Sequence, residues 1–159
     1  MKKNLSIKNL YLFVFLLCII SLIGAVYIEH AMEQKPCTLC LYQRIPYIIS
    51  IFICFIGFNY HKNFLWLFLL ILIFLISIGL SGYHVGIENN IFQEFSGCTN
   101  NNLNITNKSE LLNSLSKTLP NCKDVNFRMF GLSLATINLI VSSLIVMLSV
   151  IFIKNEKNR

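Results

Sequence analysis

Four of the six cysteines in this sequence are spaced in a way that favours thiol–disulfide chemistry. Cys37 and Cys40 form a Cys-x-x-Cys motif, while Cys98 and Cys122 bracket a polar, asparagine-rich stretch. Two thiols that lie close together form a disulfide on oxidation, and the thiolate of one pair can attack the disulfide of another. Dithiol and disulfide chemistry is therefore what these residues predict, and four cysteines allow three ways of pairing.

Other kinds of site also use the Cys-x-x-Cys motif, so the surrounding residues have to discriminate between them. Residue 41 is leucine, whereas a haem-attachment motif has histidine there. Zinc would take four ligands, but Cys98 and Cys122 are 24 positions apart with no histidine near them in the sequence. Oxidation of the cysteines would also compete with metal loading. We therefore expect no metal at these cysteines.

Arg44 follows the motif at a spacing that places it on the same helical face. Pro36 suits the first position of a helix, because its missing N–H is not needed there. In a helix that starts at Pro36, the side chains of Cys37, Cys40 and Arg44 lie within about 60° of one another. A helix N-terminus and a nearby cation both stabilise a thiolate. The sequence therefore predicts a thiolate near neutral pH at this motif.

The rest of the sequence is mostly apolar, which places the motif in a membrane protein. Apolar residues make up 55% of the 159 residues and charged residues only 13%, and the mean hydropathy is +0.66. A spanning helix needs about 20 predominantly apolar residues. Suitable spans lie at residues 10–28, 41–60, 64–83 and 129–153, with outer loops at 29–40 and 84–128. We predict an all-α membrane protein with one domain over residues 1–159, a bundle of four transmembrane helices with a long outer loop between helices 3 and 4.

The charged residues indicate how the spans are oriented. If both termini and the turn at 60–63 are cytoplasmic, that side carries seven basic residues and one acid, which accounts for the whole net charge of +6. The other side carries six basic and six acidic residues. Because basic residues concentrate in short cytoplasmic segments, we expect cytoplasmic termini and cysteine loops on the opposite, oxidising side. No basic stripe with interleaved aromatic residues indicates binding to nucleic acid.

Two further predictions concern residues outside the motif. Cys18 and Cys54 fall within the first and second spans, where a cysteine behaves as a small hydrophobic residue. Leucines at helical spacing before Pro120 predict a short amphipathic helix over residues 111–119. Such a helix lies either on the membrane surface or against the end of the bundle.

The run of residues 36–44 resembles the signature of the bacterial DsbB family, the quinone-linked membrane proteins that form disulfides. In this chain the run reads Pro-Cys-Thr-Leu-Cys-Leu-Tyr-Gln-Arg. Segments 82–88 and 131–134 are similar to those that the family carries after its third span and at the start of its fourth. With four spans, a long loop that carries two cysteines and cytoplasmic termini, the resemblance covers nearly the whole chain. It implies a multi-pass protein of the bacterial inner membrane whose cysteine loops are periplasmic.

The resemblance also implies an electron relay. The thiolate of a reduced, thioredoxin-like DsbA partner in the periplasm attacks Cys98 in its disulfide with Cys122. Cys122 then engages Cys37, which frees Cys40 as a thiolate. Cys40, next to Arg44, passes the electrons to a membrane quinone, either ubiquinone or menaquinone, and the Cys37–Cys40 disulfide is restored. The implied function is that of a thiol oxidase that sustains protein disulfide formation.

His84 has two alternative roles at the outer end of the third span. Its usual pKa lets it move protons near neutral pH, so it is a candidate for binding or protonating the quinone. The other role is that of a polar residue at the membrane interface, which is common for histidine.

Two alternatives to this function come from different classes of protein. Proteins of the vitamin K epoxide reductase type also join a four-helix bundle to Cys-x-x-Cys chemistry. In them the motif lies at the outer end of a late span, whereas here it precedes the second span. The other alternative is a non-enzymatic membrane protein in which a disulfide between Cys98 and Cys122 only staples a loop. A loop closure of this kind stabilises a protein by ~3 kcal/mol or more, but the polar stretch between these cysteines gives it little compact structure to protect.

Overall fold

A computed structural model of the protein describes residues 7–33, 35–60, 63–93, 122, 128–129 and 131–157. Within these ranges the chain forms long helices and one short hairpin. The helices are α1 (Ile7–Ala31), α2 (Thr38–Asn59), α3 (Phe64–Glu88) and α4 (Leu134–Lys157), and the hairpin strands are β1 (Arg128–Met129) and β2 (Leu132–Ser133). All four helices are long and apolar enough to cross a membrane, so this is a multi-pass membrane protein.

The helices pack in the order in which they occur along the chain. α2 contacts α1 on one side and α3 on the other, and α3 packs most extensively against α4. The side chains buried between them form an apolar core of Leu10, Tyr11, Val14, Cys18, Tyr47, Ile53, Cys54, Leu67, Leu70, Phe74 and Ile145. Many large apolar side chains point outward from the bundle instead. Such an exposed apolar surface is stable only against lipid, which is as apolar as the side chains themselves.

Gly57 lets α1 and α2 approach closely in this core. A Cβ atom at Gly57 would lie 2.6 Å from the ring of Tyr11, well inside van der Waals contact. The Tyr11 ring is almost completely buried and has no space into which to move. Small residues allow close helix packing in membranes, and Gly57 has this role between α1 and α2.

The fourth helix begins at Leu134, five residues after the start of the predicted span at 129–153. Strands β1 and β2 form an antiparallel hairpin in which Arg128 pairs with Ser133 and Met129 with Leu132. Gly131 lies in its turn with a φ of +81°, a conformation that glycine adopts without strain. α4 then starts with an N-cap in which the Thr136 N–H donates to Ser133 Oγ over 3.2 Å. The apolar composition extends across the hairpin, so hydropathy alone did not separate it from the helix.

The other helices extend beyond their predicted spans or begin before them. α1 and α3 each have 25 residues, because a helix continues past its uncharged stretch into the polar interface. α2 starts at Thr38 rather than Pro36, and Cys37 is its N-cap residue. Cys98 and the predicted amphipathic helix at 111–119 lie outside the described residues.

Candidate active site

The Cys-x-x-Cys motif occupies the first turn of α2. Cys37 precedes the helix in an extended conformation, with φ −74° and ψ 168°, and the N–H of Leu41 donates to its carbonyl oxygen over 3.3 Å. Cys40 lies three residues on, so both side chains point to the same side of the helix start. Their sulfur atoms are 3.1 Å apart. Closing a disulfide of about 2.05 Å between them requires only a small movement.

The two sulfurs of the motif are not equivalent. The Cys37 thiol donates a hydrogen bond to the Cys40 sulfur. This hydrogen bond, together with burial, raises the pKa of Cys37 to about 12. Donation to the Cys40 sulfur stabilises negative charge there. Of the two positions at which the sequence predicts a thiolate, the geometry therefore favours Cys40 and keeps Cys37 protonated.

His84 reaches this motif from the far end of α3. Its side chain is buried, and Nε2 lies 3.7 Å from the sulfur of Cys37. The other ring nitrogen, Nδ1, lies 3.0 Å from the side-chain amide of Gln43 on α2. Glu88, one turn further along α3, places a carboxylate oxygen 3.7 Å from Nε2. With Gln43 donating to Nδ1, the Nε2 proton faces both the sulfur and the carboxylate.

Cys122 is the loop cysteine that the structure describes, and it lies against the motif. It is buried beside Cys37, Leu39 and Ile87. The sulfurs of Cys37 and Cys122 and a ring nitrogen of His84 all lie within 4.8 Å of one another. We call Cys37, Cys40, His84 and Cys122 the thiol cluster. Residues far apart in the sequence thus form a compact group in which thiol–disulfide exchange is possible.

Arg44 is positioned by an ion pair that the sequence analysis did not identify. Its Nη1 atom donates to Oε2 of Glu29 over 2.7 Å. Glu29 lies in the last turn of α1, so the pair connects the outer ends of α1 and α2. Both side chains remain partly exposed. Arg44 lies one turn beyond Cys40 on α2, with its charge partly balanced by the carboxylate.

A network of polar side chains leads from His84 into the bundle. Asn138 on α4 donates to Gln43 Oε1 over 2.9 Å, and its own Oδ1 accepts from the hydroxyls of Tyr47 at 2.5 Å and Ser142 at 3.2 Å. Ser142 in turn lies 3.0 Å from the hydroxyl of Ser77 on α3. We call Gln43, Tyr47, Ser77, Asn138 and Ser142 the polar network.

Sequence reasoning missed the polar network, although a signal for it exists. Polar side chains inside an apolar span usually face the bundle interior and pair with one another. Gln43 and Asn138 stand out as amide side chains in otherwise apolar helices. This signal predicts that the two residues face inward, but which partners they choose depends on how the helices are aligned.

Comparison with known proteins agrees with this geometry. The family model described as disulfide bond formation protein DsbB matches residues 7–152 of the chain. The chain belongs to the DsbB family. It is therefore a disulfide bond formation protein, a disulfide oxidoreductase built on a four-helix membrane bundle, as the sequence resemblance predicted.

Individual relatives fall into two groups. An uncharacterised protein of Rickettsia prowazekii is 27% identical over 159 residues, covering 96% of this chain and 91% of the relative. Disulfide bond formation protein B 1 of Pseudomonas aeruginosa is 38% identical over 52 residues, 33% of this chain and 32% of the relative. Disulfide bond formation protein B of Histophilus somni is 35% identical over 78 residues, 48% of this chain and 42% of the relative. The matches to these two named proteins thus span less than half of their length.

The DsbB-type bundle brings together most of the residues singled out in the sequence. Cys37, Cys40, Cys122 and His84 lie in one cluster, and Arg44 lies next to it in an ion pair. Cys98 lies outside the described residues, so its pairing with Cys122 stays a prediction.

Proposed function

We propose that this protein reoxidises a soluble, thioredoxin-like DsbA partner in the periplasm and passes the electrons to a membrane quinone. The observation that supports this most directly is the position of Cys122. Its sulfur lies within 4.8 Å of the Cys37 sulfur, so a thiol–disulfide exchange between loop and motif needs no large rearrangement. A loop cysteine that served only as a staple has no need of that position.

The proposed relay moves two electrons in four thiol–disulfide exchanges. The partner's thiolate attacks Cys98, the Cys98–Cys122 disulfide breaks, and a mixed disulfide forms. The partner's second thiol then releases the oxidised partner and leaves Cys98 and Cys122 as thiols. The Cys122 thiolate attacks the sulfur of Cys37 in the Cys37–Cys40 disulfide, and Cys40 leaves as a thiolate.

The last exchange restores the loop disulfide, and reoxidation then restores the Cys37–Cys40 disulfide. The thiolate of Cys98 attacks Cys122 in its disulfide with Cys37, which reforms the loop disulfide and leaves Cys37 and Cys40 reduced. Oxidation of this pair to a disulfide releases two electrons and two protons, and a bound quinone would accept them. In each exchange one S–S bond forms as another breaks, so atoms and electrons balance.

The residues around Cys40 fit a lipid-soluble acceptor. Cys40 is only partly buried, and Arg44 lies one turn further along the same side of α2. The neighbouring apolar side chains of Leu41, Tyr42 and Ile45 are exposed on the outside of the bundle, where a membrane provides lipid. Arg44 donates hydrogen bonds suited to carbonyl oxygens, and His84 holds a proton close to the Cys37 sulfur. We therefore assign Arg44 to binding of the quinone and His84 to proton movement at the cluster.

We also propose that the protein lies in the bacterial inner membrane with both termini in the cytoplasm. The support is the division of charge, because the proposed cytoplasmic segments carry the whole net charge of +6 in accordance with the positive-inside rule. A membrane-impermeant thiol reagent added from the periplasmic side after reduction should label loop and motif cysteines. Labelling of these residues from the cytoplasmic side alone would contradict this orientation.

The test of the function is anaerobic mixing of the purified protein with a reduced thioredoxin-like partner and a soluble quinone. We expect the quinone to be reduced in step with oxidation of the partner. The Cys122→Ala variant, mixed instead with the oxidised partner, should accumulate a mixed disulfide, because the Cys98 thiolate attacks the partner's disulfide and no Cys122 thiol remains to displace the partner. Removal of Cys98 should abolish that species. If the cysteines keep the same redox state with and without quinone, the chain is a stapled scaffold. If the partner is captured at Cys37 or Cys40 when both loop cysteines are absent, the loop pair has no place in the relay.

A further inference from the structure

The thiol cluster has a second chemical capability, because its donor atoms are those that zinc prefers. Cys37, Cys122 and His84 converge within 4.8 Å, and the sulfur of Cys40 lies 3.1 Å from that of Cys37. Three thiolates and one imidazole are a common ligand set of tetrahedral zinc. No histidine lies near Cys98 or Cys122 in the sequence. In the folded chain, however, α3 brings His84 close to Cys37 and Cys122.

The distances in the cluster are close to those that a tetrahedral ion needs. With Zn–S bonds of ~2.3 Å and Zn–N bonds of ~2.0 Å, neighbouring ligand atoms lie about 3.5–3.8 Å apart. The 3.7 Å between Cys37 Sγ and His84 Nε2 meets this condition. The sulfurs of Cys37 and Cys40, at 3.1 Å, would have to separate, and Cys122 would have to move inward by at most about 1 Å. Cys40, which is not in the group of atoms within 4.8 Å, would also have to turn toward His84 and Cys122.

The surroundings of His84 also suit a metal ligand. A ligating histidine usually donates its other ring N–H to an oxygen, which fixes the ring. Gln43 lies 3.0 Å from Nδ1, and rotation of its amide group by 180° presents an oxygen to an Nδ1 proton. The two ends of an amide have the same shape, so this exchange keeps the packing, although it gives up the hydrogen bond that Gln43 Oε1 accepts from Asn138. Nε2 then faces the cluster with its lone pair available.

We propose that the fully reduced protein binds one thiophilic divalent cation of the zinc class through Cys37, Cys40, Cys122 and His84. Binding releases the thiol protons of the three cysteines, because the thiolate is the ligand form. A disulfide at Cys37 removes ligands from the set, so only the reduced protein binds the ion. The bound ion occupies the sulfurs needed for exchange and thereby holds the protein in its reduced, inactive form. This site is distinct from the proposed electron relay and involves neither the partner nor the quinone.

Cobalt(II) is a suitable probe, since tetrahedral cobalt–thiolate centres have strong visible absorption. The reduced, purified protein is titrated anaerobically with Co²⁺, and Zn²⁺ is then added as a competitor. We expect saturation at one ion per chain, loss of the absorption on adding Zn²⁺, and no absorption with the oxidised protein. Cys122→Ser and His84→Ala should each weaken Co²⁺ binding at least tenfold, as loss of a ligand does. Cys18→Ala is the matched control, which removes a cysteine from the apolar core and should bind Co²⁺ like the wild type.

Two results would overturn the proposal. One is that the reduced protein gives no tetrahedral cobalt spectrum, although the same preparation still passes electrons to quinone. The quinone activity shows that this preparation is folded. The other is Co²⁺ binding that persists unchanged in both ligand variants. The titration contains neither partner nor quinone. If the protein binds one Co²⁺ as expected but fails to reduce quinone, the result contradicts the proposed relay and leaves the metal site intact.

Discussion

The cysteines that the structure describes form two groups with different surroundings. Cys37, Cys40 and Cys122 lie in the thiol cluster beside His84, whereas Cys18 and Cys54 lie in the apolar core. Burial does not separate the groups, because Cys37 and Cys122 are 7% and 2% exposed while Cys54 is 1% exposed. The difference lies in the neighbours of each sulfur. Cys37 has a second sulfur at 3.1 Å and a histidine ring nitrogen at 3.7 Å, whereas Cys18 and Cys54 lie among apolar side chains.

The strongest test of this comparison removes one sulfur from the cluster. Cys40→Ser should lower quinone reduction by about three orders of magnitude or more, as is usual when an enzyme loses its nucleophile. Turnover is measured anaerobically with a reduced thioredoxin-like partner. Serine has nearly the same shape as cysteine, so the variant should remain folded. Turnover close to that of the wild type would mean that Cys40 does not face the acceptor.

A second variant removes the proton-carrying group and leaves all sulfurs in place. His84→Ala should reduce turnover by about 100-fold, the low end of the effect of general acid–base catalysis. The pH dependence of turnover distinguishes a proton-carrying role from a structural one, because only the former changes the profile. If His84→Ala and the wild type have parallel pH profiles and differ in thermal stability alone, His84 only anchors α3.

The two sulfurs of the motif should also differ in their reaction with an alkylating reagent. The pKa of Cys37 is raised to about 12 by the hydrogen bond to Cys40 and by burial. Its thiolate fraction at neutral pH is therefore small and rises about tenfold per pH unit until the pH reaches the pKa. Mass spectrometry of the reduced protein after brief alkylation at pH 7, 8 and 9 should show labelling of Cys37 that increases with pH. Cys40 should already be labelled at the lowest pH. Equal, pH-independent labelling of both residues would contradict the asymmetry.

A smaller effect is expected from breaking the polar network behind the cluster. Asn138→Leu removes the hydrogen bonds that Asn138 makes to Gln43 Oε1 and to the Tyr47 hydroxyl, and should lower the free energy of unfolding by about 1–2 kcal/mol. Denaturation of the protein in detergent measures this change. Ser143→Leu is the matched control on the same helix, because the exposed Ser143 hydroxyl bonds only to its own helix at Leu139. Equal losses in both variants would show that the network adds no stability.

The smallest effect belongs to the cysteines of the core. Cys54→Ala removes one buried sulfur and should cost about 1 kcal/mol of unfolding free energy, in the range of small core truncations. Turnover and the pattern of disulfides should match those of the wild type. If Cys54→Ala lost most of its turnover while its unfolding free energy stayed the same, Cys54 would take part in the relay. The two groups of cysteines would then not differ in function.

Composition was enough to predict the four-helix bundle, while the details of the site depended on tertiary structure. Four apolar stretches in a bilayer can only be helices, since backbone groups must be paired internally. The hairpin before α4 was not predictable, because its residues are as apolar as the helix that follows. The meeting of His84 with Cys37, or of Gln43 with Asn138, depends on the rotation of each helix about its own axis. The Arg44–Glu29 pair depends on the path of the loop between α1 and α2.

The length of α3 determines how deep in the membrane the thiol cluster lies. Its 25 residues span about 37 Å at ~1.5 Å per residue, against a hydrocarbon thickness of ~30 Å. Even a tilt of about 20° shortens this span only to about 35 Å. The helix end that carries His84 and Glu88 therefore projects into the headgroup layer, where water and acyl chains meet. A site at this depth is accessible to a water-soluble protein from the aqueous side and to a lipid-dissolved molecule from the acyl-chain side. The protein need not enter the membrane, and the lipid-dissolved molecule need not leave it.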